Sequence, residues 1–320
     1  MRLPGSILLF MFLFFSSAGI LFSQVADKPF PNSRFATIDS VSIHYRVWNE
    51  NLLHPKGKVL LIHGFCGSTF CWRNNWDTLV SCGYKVVAID IPGFGYSQRS
   101  TTLNQSQSNR SRLIWRVLDK IDGNDTMKWN IVGHSMGGGT AEAMALMKPE
   151  RTKSLTILAG MIFIKNDNVN RSIVGLVNHP MYKRMLLDYT EHSYLSFSNF
   201  RRELKGTYGF LPDTLITMGY WEPLQIPGTA ETIVNLLANS GEIQSLDARE
   251  LSHLPVLVIW GKKDRTIRLS NGKKLRRAVH SIELKVIPDV RHMAMETHPA
   301  IFNRMLVEFL EKNNQRGITK

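Results

Sequence analysis

Trp129-Asn-Ile-Val-Gly133-His134-Ser135-Met136-Gly137-Gly138-Gly139-Thr-Ala-Glu-Ala-Met-Ala-Leu-Met147 decides the fold. It opens as a short apolar run, 129–132, with the length and β-branching of a buried strand. It closes as an Ala- and Met-rich stretch with the length of a helix, 136–148. Between them lies Gly133-x-Ser135-x-Gly137. In a chain with 23 Gly such a match is weak by itself, and the strand–turn–helix context gives it meaning. A turn that sharp forces strained dihedrals on Ser135 and brings backbones close. Gly133, Gly137 and Gly138 must therefore lack side chains. The serine is lifted clear of the sheet edge, over a helix amino terminus that favours developing negative charge.

Working outward, further short apolar runs repeat the pattern: 59–62, 85–89, 155–158, 256–260 and 284–287. Helix-length stretches at 70–82, 105–121, 136–148, 270–280 and 298–312 separate most of them. Alternation of strand and helix predicts right-handed crossovers and a doubly wound, mostly parallel α/β sheet. Two alternating segments, Phe35–Asp39 and Ser42–Trp48, predict an antiparallel hairpin ahead of it. The alternation breaks once. Residues 161–252 hold no clear buried strand and are rich in Met, Tyr, Phe and Trp, with Pro at 180, 212, 223 and 227. A gap that long has structure of its own. It is expected to be a helical lid over the carboxyl edge of the sheet, where ligands bind in open α/β folds. The α/β core is then 24–160 plus 253–320.

A serine hydroxyl needs a base, and the base needs an orienting acid. The chain order for an elbow of this kind is Ser, acid, His. Asp264 follows the run 256–260, and His292 follows the run 284–287. Both fall at the same sheet edge as Ser135. Asp289 is a rival acid, read as a turn residue after Pro288. Two backbone N–H groups are expected to hold an oxyanion: that of Met136, and that of Phe65 in the loop His63-Gly64-Phe65. His63 and His134 are read as packing residues, and Asp90 as the scaffold of the turn Pro92-Gly-Phe-Gly95. Phe163, Phe197, Phe200, Tyr208, Tyr220 and Trp221 either line an acyl pocket or form the lid's own core.

Taken together, HGF at 63–65, DIPGFGYS at 90–97, GHSMGG at 133–138, WGKKD at 260–264 and RHMA at 291–294 resemble the α/β-hydrolase superfamily in its lidded branch. The resemblance covers residues 35–312 and is specific for the fold more than for the substrate. It implies a Ser135–His292–Asp264 triad with no metal and no organic cofactor. Arg291 departs from the pattern, since many relatives carry Gly there. Epoxide hydrolases and haloalkane dehalogenases share the lid and the turn at 90–97, but their nucleophile is an aspartate. Carbon–carbon hydrolases, aminopeptidases, lactonases, thioesterases and cofactor-free haloperoxidases keep the serine. The expected activity is hydrolysis of a small, mostly apolar ester or related acyl compound. The competing class is a ligand-binding protein with vestigial turnover.

Composition narrows the rest. The 320 residues are 43% hydrophobic and 20% charged, which excludes wholesale disorder, and 23 Gly with 13 Pro exclude fibrous sequence. The net charge is +13, scattered over the chain without a nucleic-acid motif. A solvated basic surface is the plain reading, and weak contact with an anionic membrane surface is the partner it would allow. Residues 6–22 carry no charge and follow Arg2, the pattern of a secretory signal or a short anchor. Export is expected, with cleavage after Ala18 or Ser23 and a polar linker over 24–34. Cys66, Cys71 and Cys82 are too few for a disulfide scaffold; one bridge is conceivable, and buried free thiols are the commoner arrangement. Sequons occur at Asn104, Asn109, Asn124 and Asn170.

Overall fold

The computed structural model describes residues 28–100, 102–161, 175, 177–238 and 247–316. The apolar segment 6–22, Asn170 and Phe163 lie outside the described residues. The chain divides into a unit Met1–Pro31 and a unit Asn32–Lys320, and everything below concerns the second. Among the described residues no helix is long and apolar enough to cross a membrane.

Eight strands form one sheet: β1 (Ser33–Ile38), β2 (Val41–Trp48), β3 (Lys58–Ile62), β4 (Lys85–Ile89), β5 (Trp129–His134), β6 (Thr152–Leu158), β7 (Val256–Gly261) and β8 (Glu283–Ile287). Their spatial order is β1-β2-β4-β3-β5-β6-β7-β8. β1 and β2 are the antiparallel hairpin, β2 meets β4 antiparallel, and every later pairing is parallel. The hairpin begins two residues earlier than its alternation suggests, so Ser33 and Arg34 are strand rather than linker. The central strands β3, β5 and β7 are buried at every position, as their unbroken apolar runs require.

The core helices are α1 (Trp76–Ser81), α2 (Gln107–Asp122) and α3 (Met136–Met147). α2 starts where the Ser106 hydroxyl accepts from the Asn109 N–H, and stops at Gly123, whose φ of 54° ends the ladder. The helix expected over 70–82 is broken in two. Thr69–Trp72 forms a single tight turn, and α1 starts only at Trp76. The cause is Asn75, whose buried side chain donates to the Met295 carbonyl and to Asn303 Oδ1 and so fixes the chain between the two pieces. Asn is also a natural helix-start residue.

Between β6 and β7 the described residues form α4 (Pro180–Tyr189), a π-turn Thr190–Tyr194, α5 (Phe197–Tyr208), α6 (Thr214–Leu224) and α7 (Thr229–Ala238). α5 ends at Gly209, φ 92°, and α6 is capped by the Asp213 carboxylate accepting from the Ile216 N–H. Phe197 meets Trp221 edge to face at 5.5 Å, and the Trp221 N–H donates to Leu195 O, so these aromatics pack within the insertion. The chain returns through α8 (Leu269–Ala278), α9 (Ala294–Thr297) and α10 (Pro299–Arg316). Cys66, Cys71 and Cys82 are all free thiols.

Candidate active site

Ser135 sits between β5 and α3 with φ 53° and ψ −120°, a conformation that costs an L-residue on the order of 1–3 kcal/mol. The surroundings enforce it. The Ser135 N–H donates to Leu158 O at 3.0 Å, and its carbonyl accepts from Gly138 and Met161. A Cβ on Gly133 would lie 2.1 Å from Gly137 O, and one on Gly137 would lie 2.2 Å from His63 O. One on Gly138 would lie 2.8 Å from the Gly160 Cα. All three glycines are close-approach positions rather than flexible ones.

The loops after β7 and β8 are bonded to each other. The Lys262 N–H donates to Ile287 O and that of Lys263 to Val290 O, both at 2.9 Å. This pairing brings His292 Nδ1 within 2.8 Å of Asp264 Oδ2, with both side chains buried. The other carboxylate oxygen of Asp264 accepts from the Thr266 and Ile267 N–H groups, at 2.8 and 3.1 Å. Asp264 is therefore held from one side and meets the imidazole on the other. Asp289 does not compete, because it is exposed, lies on a turn with φ 60° and pairs with Lys263 Nζ.

His134 joins the elbow to this loop. Its Nε2–H donates to His292 O at 3.1 Å, and the two rings lie 4.7 Å apart. Burial, and then the neighbouring His292, push the His134 pKa well below its ordinary value. Its ring packs against that of His292. His63 is likewise depressed by burial. Its Nε2 accepts from the Ile91 N–H at 2.9 Å, so Nδ1 carries the proton and donates to Gly64 O at 2.7 Å. Those two bonds shape the loop that carries Phe65. A Cβ on Gly64 would touch the Ser135 Cβ at 3.0 Å, so this loop runs directly against the serine. Cys66 follows with φ 54°. Met136, on the other side, is the first residue of α3, where N–H groups lack intrahelical acceptors.

Asp90 closes the same region from behind. Its carboxylate accepts from Thr69 N, Tyr96 N and His44 Nδ1 at 2.6–2.7 Å. Burial alone would raise its pKa, but the His44 imidazole and these bonds outweigh it and hold the pKa low. The carboxylate thus ties the turn at 90–97 to His44 on β2 and to the tight turn that begins at Thr69.

One polar cluster has no counterpart in the sequence reading. Glu296, on α9 four residues past His292, is buried and accepts from the hydroxyls of Tyr208 on α5 and Tyr220 on α6, and it pairs with Arg73. Burial pushes its carboxyl up, against the pull of Arg73. Next to it the His292 N–H donates to Thr207 O at 3.0 Å, and Arg291 Nη1 donates to Gly206 O at 3.1 Å. Opposite, Arg99 donates to Gly95 O, Ser97 O, Pro223 O and Thr229 Oγ1. The insertion is thus fastened to the core on two sides of Ser135. Nothing in the sequence pattern marks Glu296 apart from its place four positions after His292. Among the described residues no three metal-ligating side chains come together.

The chain is 25% identical over 285 residues to an uncharacterized hydrolase of Bacillus subtilis, covering 88% of this chain and 98% of that one. It is 27% identical over 284 residues to the 2-hydroxy-6-oxononadienedioate/2-hydroxy-6-oxononatrienedioate hydrolase of Cupriavidus pinatubonensis, covering 87% and 95%. Among solved structures, a bromoperoxidase from Bacillus anthracis superposes with a TM-score of 0.69 at 20% identity, covering 87% of this chain and 99% of that one. That likeness speaks to the fold. The model of the alpha/beta hydrolase fold matches residues 58–299, the span that runs from β3 past His292, and the chain belongs to that family.

Proposed function

We propose that the chain is a serine hydrolase that works through an acyl-enzyme on a small acyl compound. The observation that carries this reading is the 2.8 Å His292–Asp264 bond, at the same sheet edge as a serine held at φ 53°. His292 Nε2 takes the proton of Ser135 Oγ as the oxygen attacks the carbonyl. Asp264 keeps the proton on Nδ1, so that Nε2 is free to act as base. The N–H groups of Phe65 and Met136 receive the oxyanion. His292 then protonates the leaving group, and water attacks the acyl-enzyme by the reverse of the same transfers. The helical insertion serves as the lid and roofs the pocket.

An ester is the simplest substrate. A second reading, carbon–carbon bond hydrolysis, is favoured by the names of the relatives that match at 25–27% identity. The test is pre-steady-state hydrolysis of p-nitrophenyl acetate with mass mapping of the quenched protein. The reading predicts a burst of p-nitrophenolate and an acetylated Ser135 peptide. Linear release with no acylated serine would refute it. Faster turnover of a 2-hydroxy-6-oxo-dienoate than of any simple ester would select the second reading. We propose further that residues 6–22 direct export and are cleaved; an intact mass of the mature protein that retains residues 1–18 would contradict the cleavage.

A further inference from the structure

The buried groups around Arg110 form a cluster that the triad does not use. Arg110 lies in the first turns of α2 and is 3% exposed. Its Nη1 is 3.6 Å from the sulfur of Met136, and its Nη2 donates to Gln107 Oε1 at 3.0 Å. Among the described residues its Nε has no partner and no carboxylate answers its charge. Burial alone lowers its pKa, to about 10, and neither Asp90 nor the buried Glu142 of α3 contributes. A thioether and a neutral amide are weak company for a guanidinium out of water.

The neighbouring polar atoms are equally unsatisfied. Both amide atoms of Gln105, the Nε2 of Gln107 and the hydroxyl of Thr232 are buried without a partner among the described residues. Gly93 relates two of them: a Cβ there would lie 2.7 Å from Gln105 Nε2 and from Thr232 Cγ2. Gln105 and Thr232 therefore meet over the turn at 90–97, between α2 of the core and α7 of the insertion. Arg99, two residues past that turn, spends its guanidinium on neutral oxygens and adds positive potential. Buried polar groups are nearly always paired, so several orphans in one place mark a site for a polar ligand. Among the described residues the formal charge of the cluster is positive and the free groups are mostly donors, which selects an anion.

We infer that Arg110, with Gln105, Gln107 and Thr232, forms a subsite for a carboxylate at the far end of the acyl substrate. The inference rests on the hydrolase reading above. The link is Met136: its N–H is the assigned oxyanion donor, and its side chain touches Arg110. A ligand reaching both is an acyl compound ending in a carboxylate, such as a half-ester of a short dicarboxylic acid. It narrows the mostly apolar acyl group expected from the sequence to one with an acidic end.

The experiment compares p-nitrophenyl half-esters of succinate, glutarate and adipate with neutral esters of matching length. The readout is the ratio of kcat/KM, acid-ended over neutral. The wild type should prefer the acid-ended ester at one chain length. Arg110→Met should lower that ratio by about 10–100-fold, the worth of a charged hydrogen bond. Arg110→Lys, which keeps the charge, should restore part of it. Fluorophosphonate labelling of each variant reports whether the elbow is still assembled. A wild-type preference for the neutral ester at every length, or an unchanged ratio in Arg110→Met, overturns the subsite. Thermal shift with glutarate itself separates the two readings. Stabilisation of the wild type but not of Arg110→Met, with no ester turnover, would keep the subsite and remove the hydrolase. Turnover with neither preference nor glutarate binding would do the reverse.

Discussion

Replacing Glu296 with Leu should loosen the insertion from the core, and the structure sets the size of the effect. Glu296 receives Tyr208 and Tyr220 from the insertion and Arg73 from the core. Its own side chain is 1% exposed and that of Arg73 is 22% exposed. Leucine removes the acceptor and leaves a mostly buried guanidinium and two buried phenols without it. Breaking one side of such a pair typically costs about 3–5 kcal/mol. For a chain of this size that is a fall in Tm of roughly 6–10 °C, at about 2 °C per kcal/mol. Glu296→Gln keeps one acceptor oxygen and should lose less. The double variant Arg73→Met, Glu296→Leu removes both charges and should be more stable than Glu296→Leu alone. Thermal and urea unfolding followed by circular dichroism measure all four proteins. A loss below about 1 kcal/mol in Glu296→Leu, or no recovery in the double variant, would refute the assigned role of the carboxylate.

Further predictions concern the elbow and its histidines. Burial depresses the pKa values of His134 and His63 below the ordinary histidine value of about 6.5, so the folded state binds fewer protons than the unfolded one below that pH. Their stabilisation is complete above about pH 6.5 and is lost as pH falls, by up to roughly 1.4 kcal/mol per unit for each histidine. Urea titrations at pH 7.5, 6.5 and 5.5 should show that slope, and His134→Gln should flatten it. Gly137→Ala would set a methyl 2.2 Å from His63 O, so it should fail to give soluble folded protein. Asp264→Asn should keep the fold by circular dichroism but lower kcat by about 1,000–10,000-fold, because the amide no longer selects the Nδ1–H tautomer of His292. A tenfold loss or less would remove Asp264 from the triad.

The sheet was legible because its strands are buried on both faces and read as bare apolar runs. Ser135, Asp264 and His292 were legible because each follows such a run within a few residues, so the sheet itself delivers them to one edge. Asp289, read as a turn residue after Pro288, lies on a turn with φ 60° and pairs with the exposed Lys263. What sequence could not show was which charged residues are buried. Arg110 is in register with the apolar stripe of α2, three and four residues before Leu113 and Ile114, but a charged residue in the first turns of a helix reads as a solvated one; Glu296 lies in a four-residue helix, Ala294–Thr297, too short to show a pattern. The burial of Glu296 follows from where the insertion docks, and that docking follows from contacts between residues about 90 positions apart, such as Tyr208 with Glu296, while Arg110 is covered by Met136 of α3. The broken helix at 70–82 has the same origin. Asn75 is fixed by Met295 and Asn303, more than 200 residues away.

The most direct test of the central claim is the intact mass of the protein after incubation with a fluorophosphonate, for the wild type and for Ser135→Ala. The probe reports an activated serine whatever the natural substrate. The account predicts one adduct per wild-type chain, located on Ser135, and none on the variant. A folded wild type that takes up no probe, or an adduct that persists in Ser135→Ala, would contradict it.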